Sequence, residues 1–420
     1  MAIINGSNGA DTLAGTNEAD TIFAFNGNDS VTTDGEGADL IIGASGNDTI
    51  SVNTADSASD SVLGGDGNDS IIISDLSVLT TAVNEAFAGA GDDTVNASGS
   101  SVAVEVGGGA GNDSITGGSG ADTVYGGAGD DTVNVTQAGN DLVFGGDGND
   151  SLTGASGDTI FGAAGSDTLA GRVVFGGEGN DIITVTAGVT AGATLGGGAG
   201  NDSITGGSTA ADTIFGGAGR DTIDGGTGND LVFGGTDTDF INVTFGSDTV
   251  FAGDDADSIV VTTTADVVVF GGSAGDVITS STGNDTLGGG EGSDTITAGT
   301  GNDVIFAGAR MASGGNDGAD RVDAGGGADT IFGGDADTVT GGTEADRFDF
   351  RAGNLSDTQL STITDFENNV DKLVVTSGFN GFVSQSGTDL LVDINGDNIL
   401  DVRLQNFTQA NFDTTDFVVG

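Results

Sequence analysis

The chain of 420 residues has no cysteine, no histidine and no proline, one tyrosine, and eight lysines and arginines together. Without cysteine there is no disulfide, no zinc–thiolate centre and no thiol nucleophile. Without histidine the commonest general base is gone. Without proline every residue keeps its backbone N–H, as suits a chain whose amides serve ladder and loop hydrogen bonds throughout. The eight cationic side chains face 64 aspartates and glutamates, a formal net charge of −56, so nucleic acid and anionic membranes are excluded as partners. No apolar run approaches the ~18 residues of a membrane span. The start, Met1-Ala2-Ile3-Ile4-Asn5-Gly6, has neither the basic segment nor the apolar core of a Sec-type signal. No H-E-x-x-H occurs, and no G-x-S-x-G set in a strand-to-helix context.

What the sequence has in abundance is glycine, 81 residues of it, and aspartate at a fixed spacing. From Asp212 through Asp221, Asp230, Asp239, Asp248, Asp257, Asp266, Asp276, Asp285 and Asp294 to Asp303 the gaps are nine residues, with one of ten. No amphipathic helix repeats at nine; a short fixed period means stacked units, each covering its neighbour. The unit is clearest at Gly225-Gly226-Thr227-Gly228-Asn229-Asp230-Leu231-Val232-Phe233, and recurs at Gly145 to Thr153 and Gly64 to Ile72. Glycines allow a tight bend with inward-turned carbonyls, and the following x-U-x (U a large aliphatic) makes a three-residue strand with one side chain facing a core. Acidity of this degree is also a mark of disorder, but 36% hydrophobic content held in register argues against it.

Two units should close one turn of about 18 residues, stacked at the ~4.8 Å strand spacing, with like loops forming two columns along the edges. Aspartates at that spacing repel by ~1 kcal/mol per neighbour in water and ~3.5 at an effective dielectric near 20. A hard dication between successive loops reverses the sign. Carboxylates plus backbone carbonyls form a flexible, all-oxygen set that suits Ca²⁺ better than Mg²⁺.

The unit matches G-G-x-G-x-D-x-U-x, and the chain therefore resembles the RTX calcium-binding repeat proteins. The motif runs from Asp11 to Asp346, about four fifths of the residues. The resemblance implies an all-β, right-handed parallel β-roll over residues 1–346, irregular over 1–205 and regular over 206–346. It also implies multiple Ca²⁺ ions at Asp11, Asp29, Asp48, Asp69, Asp93, Asp113, Asp122, Asp131, Asp141, Asp150, Asp167, Asp181, Asp202, Asp221, Asp230, Asp285, Asp294, Asp303 and Asp329. Loops that have lost their glycines, such as Gly234 to Asp239, Val243 to Asp248 and Thr262 to Asp266, are expected to hold less calcium, so that it thins out between about Asp239 and Asp276. The stretch from Ser74 to Phe87 reads as a bulged surface loop.

A second period lies over the first. Phe144, Phe161, Phe175, Phe215, Phe233, Phe251, Phe270, Phe306 and Phe332 occupy the position after U, often 18 residues apart, whereas alternate half-turns carry Asp224, Asn242, Val260, Thr279 and Thr297 there. With U inward this position faces outward. The row is either a ladder that stabilises neighbouring coils or an apolar face that docks on another molecule.

After Asp346 the composition changes: six of the 81 glycines but eight of the 22 phenylalanines lie there. Residues 347–420 are read as a small β-rich cap on the roll. Ile363 to Phe366, Leu390 to Asp397 and Asp416 to Gly420 resemble the C-terminal region of RTX proteins that a type I exporter reads.

The aspartates' nine-residue register assigns them to loops rather than to an acid–base pair, so no enzymatic activity is expected. The expected function is a secreted, calcium-dependent structural protein of a bacterial surface, a surface-layer or matrix subunit forming a homo-oligomer or lattice. Cell-surface glycan or lipopolysaccharide and the type I exporter are further expected partners, and membrane insertion is not expected. The alternative is a monomeric adhesin or ligand-binding roll for ice or glycan, suggested by Thr227/Asn229, Thr282/Asn284 and Thr300/Asn302.

Overall fold

The computed structural model describes residues 2–33, 37–54, 58–75, 84–207, 209–308, 318–350, 359–375, 377, 379, 383–397 and 399–419. The chain divides into two compact units, Met1–Gly207 and Ser208–Gly420. Each is a parallel β-solenoid whose strands alternate between two sheets, and no α-helix occurs among the described residues.

In the first unit the strand Leu142–Asp147 belongs to one sheet and Ser151–Gly154 to the other. Each pairs in parallel with its equivalents one coil away, Leu142 with Thr123 and Thr159, Ser151 with Thr132 and Thr168. The second unit repeats the plan, with Thr213 opposite Leu231 and Thr222 opposite Phe240, steps of 18 residues. The step is elastic: 14 residues from Thr159 to Val173 and 24 from Ser61 to Glu85. Coil length varies while the strand register holds.

The predicted alternation is met residue by residue. In Leu142–Asp147 only Val143 and the two-residues-later Gly145 are buried. Val143, Leu152, Ile160, Leu169, Val174 and Ile183 stack into a core at no more than 1% exposure. At the bend the second glycine is obligatory for geometric reasons. Gly146 has φ 123°, and a Cβ there would lie 1.9 Å from the Gly127 carbonyl oxygen of the preceding coil.

Three sequence expectations change. Residues 76–83 of the supposed surface excursion lie outside the described residues, but Asn84 to Phe87 are strand, part of Asn84–Ala90. Parallel coils also continue past Asp346: Arg347 pairs with Lys372, Leu373 with Phe417 and Ser361 with Val402. Among the described residues antiparallel pairing enters only at Val383–Ser386, Asp389–Val392 and Val402–Leu404. Phe348, Phe350, Phe366 and Phe407 are buried there, with an edge-on contact between Phe366 and Phe407 at 5.4 Å.

Finally, Asp266 does not stand in the aspartate column. It is exposed, and Val267, 2% exposed, takes the inward position. The Val267 N–H donates to Asp285 as an aspartate's would.

Candidate metal centres

The aspartates fall into two columns, one at each bend between the sheets. In the first unit one column runs Asp11, Asp29, Asp48, Asp69, Asp93, Asp113, Asp131, Asp150, Asp167, Asp181, Asp202 without a break. The N–H of each aspartate donates to Oδ1 of the next at 2.6–2.9 Å. The second unit has the same arrangement through Asp221, Asp239, Asp257, Asp276, Asp294, Asp320 and Asp337 at 2.7–3.0 Å. The other column is interrupted. It includes Asp122, Asp141, Asp230, Asp285, Asp303 and Asp329, but Asn84 and Val104 stand in it in the first unit and Val267 in the second.

One oxygen of each accepting carboxylate is thus engaged in the ladder. Oδ2 of Asp29, Asp48, Asp69, Asp93, Asp113, Asp131, Asp150, Asp167, Asp181, Asp239, Asp257 and Asp276 is buried and accepts no hydrogen bond. A buried anionic oxygen without a partner is costly. Burial pushes the Asp150 carboxyl up to about 7, helped by the charges of Asp167, Asp131 and Asp130 and opposed by the Asp131 amide. Asp69, Asp113, Asp239 and Asp276 are raised to about 7 by the same dominant cause.

A second oxygen points at the same place. A Cβ built on Gly145 would lie 2.2 Å from Asp150 Oδ2 and 2.7 Å from the carbonyl oxygen of Gly162, one coil on. The same hollow recurs at Gly43, Gly64, Gly108, Gly126, Gly162 and Gly176, and in the second unit at Gly216, Gly234, Gly271 and Gly289, with 2.0–2.5 Å to the carboxylate and 2.3–2.7 Å to the carbonyl. In the interrupted column the first-glycine hollow is different. At Gly117 it meets Asp122 Oδ2 and a Val135 methyl, and at Gly225 only the Asp230 carboxylate group itself. No group of three or more carboxylates converges among the described residues. A cation here would be held by one carboxylate oxygen per coil together with carbonyls, the oxygen-only set that suits calcium.

The chain matches the family described as RTX calcium-binding nonapeptide repeat (4 copies) over residues 5–35, 33–53, 54–72, 107–134, 135–158, 153–172, 173–189, 194–210, 207–241, 233–268, 259–287, 270–305 and 314–348. It belongs to that family. No curated protein sequence matches it. Among solved structures it is similar to the crystal structure of a hyperactive, Ca²⁺-dependent, β-helical antifreeze protein from an Antarctic bacterium. That likeness is 21% identity over 80% of this chain and 84% of the other, with a TM-score of 0.20.

Within this RTX chain the expected metal residues are not equivalent. Asp11 Oδ2 accepts from the Ser7 hydroxyl, Asp122 Oδ2 from the Gly118 amide and Asp285 Oδ2 from the Ser280 hydroxyl. Asp141, Asp230, Asp303 and Asp329 keep a buried, unbonded Oδ2 but stand in the interrupted column. Asp202, Asp221 and Asp294 stand in the unbroken one. Across the stretch from Asp239 to Asp276, where calcium is expected to thin out, Asp239, Asp248, Asp257 and Asp276 each present a buried, unbonded Oδ2.

What decides the hollow is the first residue of the loop. Alanine stands there at Ala24, Ala88 and Ala252, all fully buried, so a methyl group fills the space before Asp29, Asp93 and Asp257. Two other participants are invisible in the repeat formula: the carbonyl one coil ahead, and the residue just before the aspartate. Asn47, Asn68, Asp92, Asn112, Asp130 and Asn149 form an outer ladder, each N–H bonded to the preceding side-chain oxygen at 2.8–3.1 Å.

A reciprocal pair of substitutions tests the hollow. Gly145→Ala should remove one calcium equivalent and cost about 1–3 kcal/mol by overpacking, whereas Ala88→Gly should add one. Calcium titration calorimetry with thermal melts reads both, and unchanged stoichiometry in the two variants rejects the assignment.

Proposed function

We propose that this protein is a secreted, calcium-dependent structural component of a bacterial cell surface that self-assembles through the outer faces of its coils. Calcium along the unbroken aspartate column would be held by Oδ2 of residues such as Asp131, Asp150 and Asp167 and by the carbonyls of Gly145, Gly162 and Gly176. When bound, it supplies the positive charge that offsets repulsion between stacked carboxylates. Several ions per chain follow from the repetition of the hollow. Reading the carboxylates as catalytic finds no support in this geometry, because their raised proton affinity arises from burial within a periodic column.

The observation that carries the assembly reading is, in each unit, a row of parallel rings on the outside of one sheet. Tyr125, Phe144, Phe161 and Phe175 stack at 5.2–5.4 Å in the first unit, and Phe215, Phe233, Phe251 and Phe270 at 5.1–5.6 Å in the second. Phe306 and Phe332 stack at 4.9 Å. Stacking alone explains part of the row, yet Tyr125, Phe175, Phe215 and Phe251 remain 37–42% exposed. An exposed stripe of stacked rings is the kind of surface that a second copy covers. No helix among the described residues is long and apolar enough to cross a membrane. Cell-surface glycan or lipopolysaccharide, and a type I exporter acting transiently, are the other partners consistent with this reading.

Light scattering during a calcium titration is expected to show folding followed by association. Replacing Phe144, Phe161 and Phe175 together by serine should abolish association while the calcium-induced circular dichroism persists; a monomeric wild type in calcium rejects the reading. One observation favours the rival of an ice- or glycan-binding roll. Thr282 and Thr300 pair in parallel, and Asn302 donates to Asn284 at 2.8 Å, a short regular row of Thr and Asn. Thermal hysteresis from a calcium-loaded monomer would select that alternative.

A further inference from the structure

Beside the rings, the position before U forms a second outward row on the same sheet. In the first unit it runs by strand register from Ile3 to Thr194, and among the described residues its only charged members are Glu85 and Glu105, directly opposite each other on adjacent strands. In the second unit it runs from Thr213 to Lys372, and its only charged members among the described residues are Arg347 and Lys372, again directly opposite. Glu85 and Phe87 are exposed on Asn84–Ala90 while Asn84, Ala86 and Ala88 are buried. Arg347 and Lys372 are half-buried, next to the fully buried Phe348 and Leu373.

Like charges directly opposite one another destabilise a sheet, and the chain offsets little of this. The Ser61 hydroxyl donates to Glu85 at 3.4 Å, and Lys372 donates to the Asp371 carbonyl at 3.1 Å while its charge reaches Asp413. Among the described residues no ion pair engages any of the four. We infer that the two pairs fix the register of self-association: Arg347 and Lys372 of one copy dock on Glu85 and Glu105 of a second. This rests on the assembly reading and names its contact. Charge complementarity singles out the second copy, because each pair is what the other lacks, at the same strand position and the same separation of one strand spacing, ~4.8 Å. Ring stripes brought together out of register would bury these charges against uncharged side chains, which is costly. In register each charge meets its opposite, and other alignments are disfavoured.

Sedimentation of the calcium-loaded full-length chain tests the contact, with circular dichroism as the check on folding. Glu85→Lys with Glu105→Lys leaves only cations at the four positions, and Arg347→Glu with Lys372→Glu leaves only anions. Each variant alone should sediment as a monomer. An equimolar mixture of the two should associate again, because every pair then meets its opposite on the other variant. Should Lys372→Glu loosen its strand, Lys372→Gln in its place keeps a donor for the Asp371 carbonyl, and the same outcomes are expected. Either folded variant associating alone as the wild type does, or a folded mixture that stays monomeric, overturns the inference and leaves the ring rows alone as the interface. A wild type that is monomeric in calcium removes the assembly reading and this contact with it.

Discussion

Excess chelator at pH 8 is expected to abolish the β-sheet circular dichroism of this chain, and acidifying the same metal-free sample to about pH 5 is expected to restore part of it. Proton linkage sets both directions. The buried column carboxylates have folded-state values far above the ordinary 3.8: about 7 for Asp69, Asp113, Asp150, Asp239 and Asp276, about 6 for Asp181 and Asp257. Burial is the first cause at each, with neighbouring aspartates adding to it. A carboxyl whose pKa is raised by folding binds its proton more tightly in the folded state. Its contribution is therefore fully present below the unfolded value and lost as pH rises through the folded one. For the metal-free chain that window runs from about pH 4 to 7. Calcium replaces the proton above it, so the calcium needed for half-folding should be best defined above pH 7, and protons should compete it away as pH falls. Circular dichroism across pH in chelator and in calcium measures both limbs. A roll that keeps its full signal in chelator at pH 8 would falsify the role given to the column.

Much of this arrangement can be read from residue order, because the nine-residue period is itself the geometry: U at Val143 or Ile160 faces in and Phe144 or Phe161 faces out wherever the motif is intact. The limits are equally physical. Both bends use the same motif, so spacing alone does not reveal that the column through Asp131 and Asp150 pairs each carboxylate with a carbonyl one coil ahead, while Gly117 and Gly225 face no such oxygen. That difference arises from how the coils stack. The slip at Asp266 is legible in principle. Phe270 follows the inward Val269, which places the loop's last position at Val267 rather than Asp266. A count of glycines misjudges the loops for a similar reason. Gly234 to Asp239 lacks the third glycine of the motif but keeps the first, and its hollow is formed; Ala88 to Asp93 lacks only the first and has a methyl group there.

A pair of substitutions at one aspartate separates its two duties, and its largest effect is expected in calcium. Asp150 Oδ1 accepts the Asp131 amide at 2.9 Å, while Oδ2 faces the Gly145 hollow without a hydrogen bond. Asp150→Ala removes both: a buried amide is stranded at about 1–3 kcal/mol, and at least one calcium equivalent is lost. Asp150→Asn keeps the ladder acceptor but puts an amide group where the cation would be, so calcium falls by the same amount with the ladder intact. The two variants should then part company without metal. At pH 8 Asp150→Asn no longer buries a charge and should be less dependent on acid than the wild type, whereas Asp150→Ala should be destabilised at every pH. Asp158 is the control, since its Oδ2 is already taken by the Ala155 amide and its Oδ1 by the Asp141 amide. Asp158→Asn should leave calcium stoichiometry unchanged. Equal calcium loss at Asp158 and Asp150 would mean that the two bends bind alike, and that the carbonyl facing each hollow of the unbroken column plays no part in choosing where the ions sit.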